Sequence, residues 1–138
     1  MDKKENPFNK GESPRIVIVE DNPDISNLLA RLVKNYGYYL CGVTDNGAEA
    51  IAIIKNTSPN IVFIDIVLEG SMDGVELARY INKEFGIPFI YITGYSEEHL
   101  IEQVIHTSPA AFILKPFKGE EIRVAVQIIM NRKKSKSR

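Results

Sequence analysis

Five side chains in this 138-residue chain stand where short apolar runs stop, and together they could move a phosphoryl group. Residues 16–19 run into Glu20 and Asp21, 61–64 into Asp65, 89–92 into Thr93, and 111–114 into Lys115, which Pro116 follows. Runs of that length and apolarity fit strands buried on both faces of a parallel sheet. Open α/β sheets bind ligands beyond the carboxyl ends of their strands. Residues scattered in sequence would therefore meet at one site with three carboxylates, one hydroxyl and one ammonium. Neighbouring carboxylates repel one another, and a divalent cation removes that cost. An all-oxygen donor set favours magnesium, with manganese as substitute, and leaves room for a phosphoryl oxygen. Asp65, the lone acid at its strand end, follows four apolar residues and is the best nucleophile: a carboxylate can attack phosphorus to give an aspartyl phosphate. Lys115, Thr93 and backbone N–H groups would neutralise and hydrogen-bond the equatorial oxygens. Singly, each acid reads as a helix cap or loop residue; their coincidence with Lys115 at four strand ends carries the inference. There is no G-x-x-x-x-G-K-[ST] loop, so ATP binding by that route is not expected.

The elements that must position these residues alternate along the chain. Residues 1–14 are polar and rich in Pro, Asn and Gly, and read as a disordered lead. Strand one is Arg15–Val19. Asn22 or Asp21 caps a helix with Pro23 in its first turn, burying Ile25, Leu28, Leu29, Leu32 and Val33 and stopping before Gly37. Strand two covers 38–43. A helix follows from Gly47 with Ala50, Ile51 and Ile54 inward. Strand three is Ile61–Ile64. A loop over 66–73 leads to a helix from Gly74, capped by Asp73. Strand four covers 89–92, a helix spans 97–107, strand five is Ala111–Leu114, and a last helix spans 119–130 with Ile122, Val126, Ile129 and Met130 inward. The pattern is (βα)5: a parallel sheet covered by helices on both faces, with right-handed crossovers.

Composition bounds the rest. At 44% hydrophobic and 25% charged, the chain can build one core. No apolar run approaches the ~20 residues of a membrane span, and the N-terminus lacks the apolar region of a signal peptide, so a cytoplasmic location is expected. One cysteine, Cys41, excludes an intrachain disulfide and a cysteine metal cluster and reads as a small core residue. The net charge is −1; the last eight residues contribute +5, so the remainder carries −6. An acidic body does not fit a nucleic-acid-binding domain. The basic stretch 131–138 reads as a solvated tail.

The set Val19-Glu20-Asp21-Asn22, Asp65 with Met72-Asp73-Gly74 downstream, Thr93-Gly94 and Lys115-Pro116-Phe117 resembles the receiver domain of two-component response regulators. The resemblance covers about 15–130. It implies a flavodoxin-like three-layer sandwich of strand order 2-1-3-4-5. It implies that Asp65 is the phosphoacceptor for a histidine kinase's phosphohistidine. Asp21, Asp65 and the backbone carbonyl of Val67 would bind Mg2+, with Glu20 acting mostly through water. Thr93 would move toward the phosphoryl group, Lys115 would pair with it, and the Lys115-Pro116 bond would be cis. Phe112 matches the switch aromatic, without a hydroxyl. Val67 and Tyr95 match positions that tune dephosphorylation; neither orients water as an amide or acid would, so slow autodephosphorylation is expected. Glu20 in place of the commoner Asp, and a loop after Asp65 longer by one residue and lacking its proline, are departures from the common form.

The reading that results is a stand-alone response regulator: a receiver over 15–130 whose output passes through partners. It is not an enzyme beyond its own phosphorylation and dephosphorylation. Expected partners are a histidine kinase or phosphotransfer protein, and a downstream protein met by the face of helix four, strand five and helix five, with Tyr91, Val124 and Ile128 as members of that face. A monomer or a phosphorylation-dependent dimer is expected, with no nucleic acid or membrane contact. His99 and His106 read as surface or boundary residues, and Ile101, Val104 and Ile105 as a core stripe. Alternatives are a phosphorylation-independent binding module of receiver fold and a receiver fragment of a hybrid kinase. A phosphatase is disfavoured, because Val67 stands where a D-x-D enzyme has its second acid.

Overall fold

The computed structural model describes residues 13–94 and 98–136. Five strands, β1 (Arg15–Val19), β2 (Tyr39–Thr44), β3 (Ile61–Ile64), β4 (Phe89–Thr93) and β5 (Ala111–Leu114), form one sheet in the order β2-β1-β3-β4-β5, each neighbouring pair parallel. Five helices alternate with them: α1 (Pro23–Asn35), α2 (Gly47–Thr57), α3 (Gly74–Glu84), α4 (Glu98–His106) and α5 (Gly119–Lys136). This is the flavodoxin-like architecture that the alternating pattern and the resemblance imply.

Side chains alternate across a strand, and here both faces are apolar. Ile16 and Ile18 of β1 join Phe63, Ile90, Ile92 and Ile113 under α1 and α5, through Leu29, Val33, Ile122, Val126 and Ile129. Val17 and Val19 join Val62, Ile64 and Tyr91 under α2 and α3, through Ala50, Ile54, Leu77, Ala78 and Ile81. Each fully buried Ile or Val contributes roughly 1.5–3 kcal/mol, so the three central strands cannot slip register without exposing a face.

The helix starts follow the capping signals. The Asn22 side chain accepts from the Asp24 and Ile25 N–H groups, with Pro23 at the first position of α1. Asn46 caps α2, and Asp73 caps α3 in a reciprocal box with Glu76.

Several expectations are corrected. Leu28 is exposed: the inward stripe of α1 runs through Ile25, Leu29 and Val33, and Leu28 falls on its flank. Helix α5 continues past Met130 to Lys136. Ile129 is buried and Lys133, one turn on, is half-buried, while Arg132 and Lys133 suit the negative end of the helix dipole. Cys41 is only half-buried; it is the extra residue where the β1–β2 register slips between Ile16 and Val17. Ile66 and Leu68 are buried although they lie in the loop after β3. The expected lead falls mostly in 1–12, outside the described residues.

Candidate functional site

Register brings the polar residues together. Val19 of β1 pairs with Ile64 of β3, so Glu20 and Asp65, each one residue further, leave the sheet side by side. Asp65 N–H donates to the Val19 carbonyl at 3.0 Å and Glu20 N–H to the Thr44 carbonyl at 2.9 Å, fixing both backbones beyond the strand ends. Thr93 pairs with Leu114, and the next residue, Lys115, donates its N–H to the Thr93 carbonyl at 2.9 Å. The Lys115-Pro116 peptide bond is cis.

Glu20, Asp21 and Asp65 each offer a carboxylate oxygen within 4.8 Å of the others. Lys115 Nζ lies 2.9 Å from Glu20 Oε1 and 3.0 Å from Asp65 Oδ2. The second oxygens are held by backbone: Asn22 N–H donates to Glu20 Oε2 at 3.2 Å and Val67 N–H to Asp65 Oδ1 at 3.3 Å. Glu20, Asp65 and Thr93 are buried, while Asp21 is half-exposed. Burial, seconded by the charge of Asp65, pushes the Glu20 carboxyl up to about 7, against the Lys115 and Asn22 hydrogen bonds, which lower it. Burial acts against the Lys115 charge, but its bonds to Glu20 and Asp65 prevail and hold its pKa above the ordinary lysine value.

Such a cluster of hard oxygen donors fits a divalent cation of the magnesium class. The Lys115 ammonium bonds two of the three acids but offsets only one negative charge, and a divalent cation with open positions would offset the remaining two and still bind a phosphoryl oxygen. All three expected acids and Lys115 are brought together, and Thr93 borders them through the Lys115 backbone.

Two further expected participants, Phe112 and Val67, are among the described residues. Phe112 is half-buried, its ring centroid 6.1 Å from that of Tyr91. Val67 is exposed, with its N–H rather than its side chain turned to Asp65. Tyr95 and the side chain of His99 lie outside the described residues, and His106 is exposed.

The apolar stripe of α4 is not core as expected: Val104 is buried, but Ile105 is 64% exposed and Ile101 lies at the surface. Leu114, Val124 and Ile128 are exposed as well, so α4, β5 and α5 all present apolar side chains to solvent. Tyr91 does not belong to that surface; it is fully buried with its hydroxyl bonded to Thr107.

Gly74 escaped the sequence reading as a packing residue. A Cβ there would overlap the Asp65 carbonyl oxygen and stand 2.8 Å from Ile66 Cα. A glycine at the first position of a helix that is already well capped is the available signal for such a close approach.

A sequence profile of the response regulator receiver domain matches residues 16–127. The DNA-binding response regulator MtrA of Mycolicibacterium smegmatis is 24% identical over 118 residues, 86% of this chain and 51% of that protein. The nitrogen assimilation regulatory protein NtrX of Azorhizobium caulinodans is 35% identical over 114 residues, 81% of this chain and 25% of its own length. The chain thus spans about half of the first relative and a quarter of the second. The signal receiver domain of a modulated diguanylate cyclase from Desulfovibrio desulfuricans superimposes with a TM-score of 0.85 at 28% identity, covering 90% of this chain and 98% of that one. A CheY-like receiver domain protein from Methanospirillum hungatei, at 23% identity, shares the fold with a TM-score of 0.81, covering 90% and 98%. Among the described residues no helix is long and apolar enough to cross a membrane.

Proposed function

The chain belongs to the response regulator receiver family, and from that premise we propose that it takes a phosphoryl group from a histidine kinase's phosphohistidine onto Asp65. The observation that carries this reading is the Asp65 carboxylate itself: buried, clustered with Glu20 and Asp21, and bonded to Lys115 at 3.0 Å. In the transfer, an Asp65 carboxylate oxygen bonds to phosphorus as the P–N bond of the phosphohistidine breaks, and the imidazole leaves with the electron pair. Lys115 turns its ammonium from the carboxylates to the incoming equatorial oxygens, and the Thr93 hydroxyl hydrogen-bonds another. Asp21, Asp65 and the Val67 carbonyl would hold Mg2+, with Glu20 acting mostly through water; when bound, the ion supplies charge neutralisation for the acids and the phosphoryl oxygens.

The output is a shift of a two-state equilibrium through Thr93 and Phe112. It is read by a downstream protein on the exposed apolar side chains of α4, β5 and α5, with a phosphorylation-dependent dimer as a second outcome on the same face. The chain acts on no substrate beyond its own phosphorylation and dephosphorylation, and works in the cytoplasm.

Intact mass after incubation with acetyl phosphate and Mg2+ tests this reading. One added phosphate in the wild type, lost with EDTA and missing from Asp65→Asn, is the expected result. No addition to either protein would favour a phosphorylation-independent binding module of the same fold.

A further inference from the structure

Helix α4 is anchored at its C-terminal end. Of its described side chains only Val104 is buried, with Leu100 half-buried and Ile101 and Ile105 at the surface. Just past its last residue, Thr107 is buried and gathers bonds from three elements. Its hydroxyl donates to the Val104 carbonyl of α4 at 2.6 Å and lies 2.7 Å from the Tyr91 hydroxyl of β4. Its carbonyl accepts from the Asn82 amide of α3 at 2.7 Å. A hydroxyl has one proton. Since Thr107 gives its proton to Val104, Tyr91 is the donor in the bond between the two hydroxyls. Burial pushes the Tyr91 hydroxyl up to about 12, so that proton is present at any physiological pH.

The Tyr91 ring is itself fixed. It is fully buried, set edge-on to Phe89 at 5.4 Å and tilted against Phe112 at 6.1 Å. Tyr91 and Thr93 are two residues apart on β4 and so face the same side of the sheet. Loss of the Tyr91 bond would leave the buried Thr107 hydroxyl oxygen without its donor while its proton stays on the bond to the Val104 carbonyl, a cost concentrated at this point.

We propose that Tyr91 and Asn82, acting on Thr107, hinge α4 at its C-terminal end, so that the helix moves by a swing of the end that follows Thr93. Tyr91 is a positioning residue in this scheme. It supplies from β4 a hydroxyl that Phe112 on β5 lacks, and it leaves the Phe112 ring free of any polar tether to α4. Only the use of the hinge in signalling rests on phosphorylation at Asp65; the hinge itself does not.

Amide hydrogen exchange on the full chain tests it, comparing wild type with Tyr91→Phe, Thr107→Val and Thr107→Ser. In the wild type the amides of 105–108 should exchange ~10-fold more slowly than those of 101–103. Tyr91→Phe and Thr107→Val should speed 105–108 by up to ~10-fold, the loss expected for one hydrogen bond, and leave β3 amides unchanged. Thr107→Ser, which keeps the hydroxyl, should retain wild-type protection. Unchanged exchange at 105–108, or a uniform rise that includes β3, overturns the hinge. A second arm adds Mg2+ and beryllium fluoride as a phosphoryl mimic. Changes confined to 98–103 in the wild type, spreading to 105–108 in Tyr91→Phe, support the hinge; equal changes at both ends of α4 in the wild type overturn it. A wild type that ignores the mimic counts against phosphorylation at Asp65, and the hinge is then decided by the first comparison.

Discussion

Gly74 packs directly on the backbone of Asp65, closely enough that any side chain at position 74 would overlap the Asp65 carbonyl oxygen. The Gly74 N–H also donates to the Ile66 carbonyl at 2.9 Å, so the first turn of α3 closes the loop that leaves Asp65. The expected result of Gly74→Ala follows. Overpacking of this kind costs roughly 1–3 kcal/mol, which lowers Tm by roughly 3–10 °C. The displaced atom belongs to Asp65, so phosphate uptake from acetyl phosphate should fall in protein that is still folded at the assay temperature. A thermal melt and an uptake assay on the same preparation check both parts.

Glu20 makes stability depend on pH in a defined direction. Its folded-state carboxyl titrates at about 7, chiefly through burial, against an ordinary value of 4.5. Between these values the folded chain holds a proton that the unfolded chain has released. The contribution of Glu20 to stability is therefore fullest below 4.5, falls as pH rises through 7, and changes no further above that. At ~1.4 kcal/mol per tenfold change in proton affinity, the span contributes up to about 3 kcal/mol. Urea unfolding in EDTA should show this fall in the wild type and its loss in Glu20→Gln. Parallel profiles for the two proteins from pH 4.5 to 7 would show that Glu20 is not the group responsible.

Under the proposed function, Val67 bears on the lifetime of the phosphorylated state. It is two residues after Asp65, exposed, and carries only hydrocarbon, so it cannot orient an attacking water as an amide or acid would. Slow autodephosphorylation is expected. Val67→Asn should shorten the lifetime and Val67→Ala should leave it nearly unchanged, both read as phosphate release after removal of the donor.

The site was legible in sequence because a parallel sheet converts strand ends into neighbours. Glu20, Asp65, Thr93 and Lys115 each follow an apolar run, and register does the rest. Capping chemistry gave the starts of α1 and α3 in the same way, through Asn22 and Asp73. The misses share a cause as well. Ile101, Val104 and Ile105 have helical spacing, and spacing alone cannot tell a stripe that meets the core from one that meets solvent; only Val104 is buried. Tyr91 reads equally well as a surface aromatic until Thr107 is seen to receive its hydroxyl. The collision guarded against at Gly74 joins residues from separate elements and leaves no periodic trace.

Phosphorylation of Asp65 is tested most directly by locating the phosphate. Borohydride reduces an acyl phosphate to an alcohol, so treatment of the acetyl-phosphate-labelled chain followed by tandem mass spectrometry marks the acceptor by a change in side-chain mass. The account predicts the mark on Asp65, with none on Glu20, Asp21 or Asp73, and its loss when Mg2+ is withheld. A mark on another carboxylate, or none on a chain that still carries the phosphate, would contradict it.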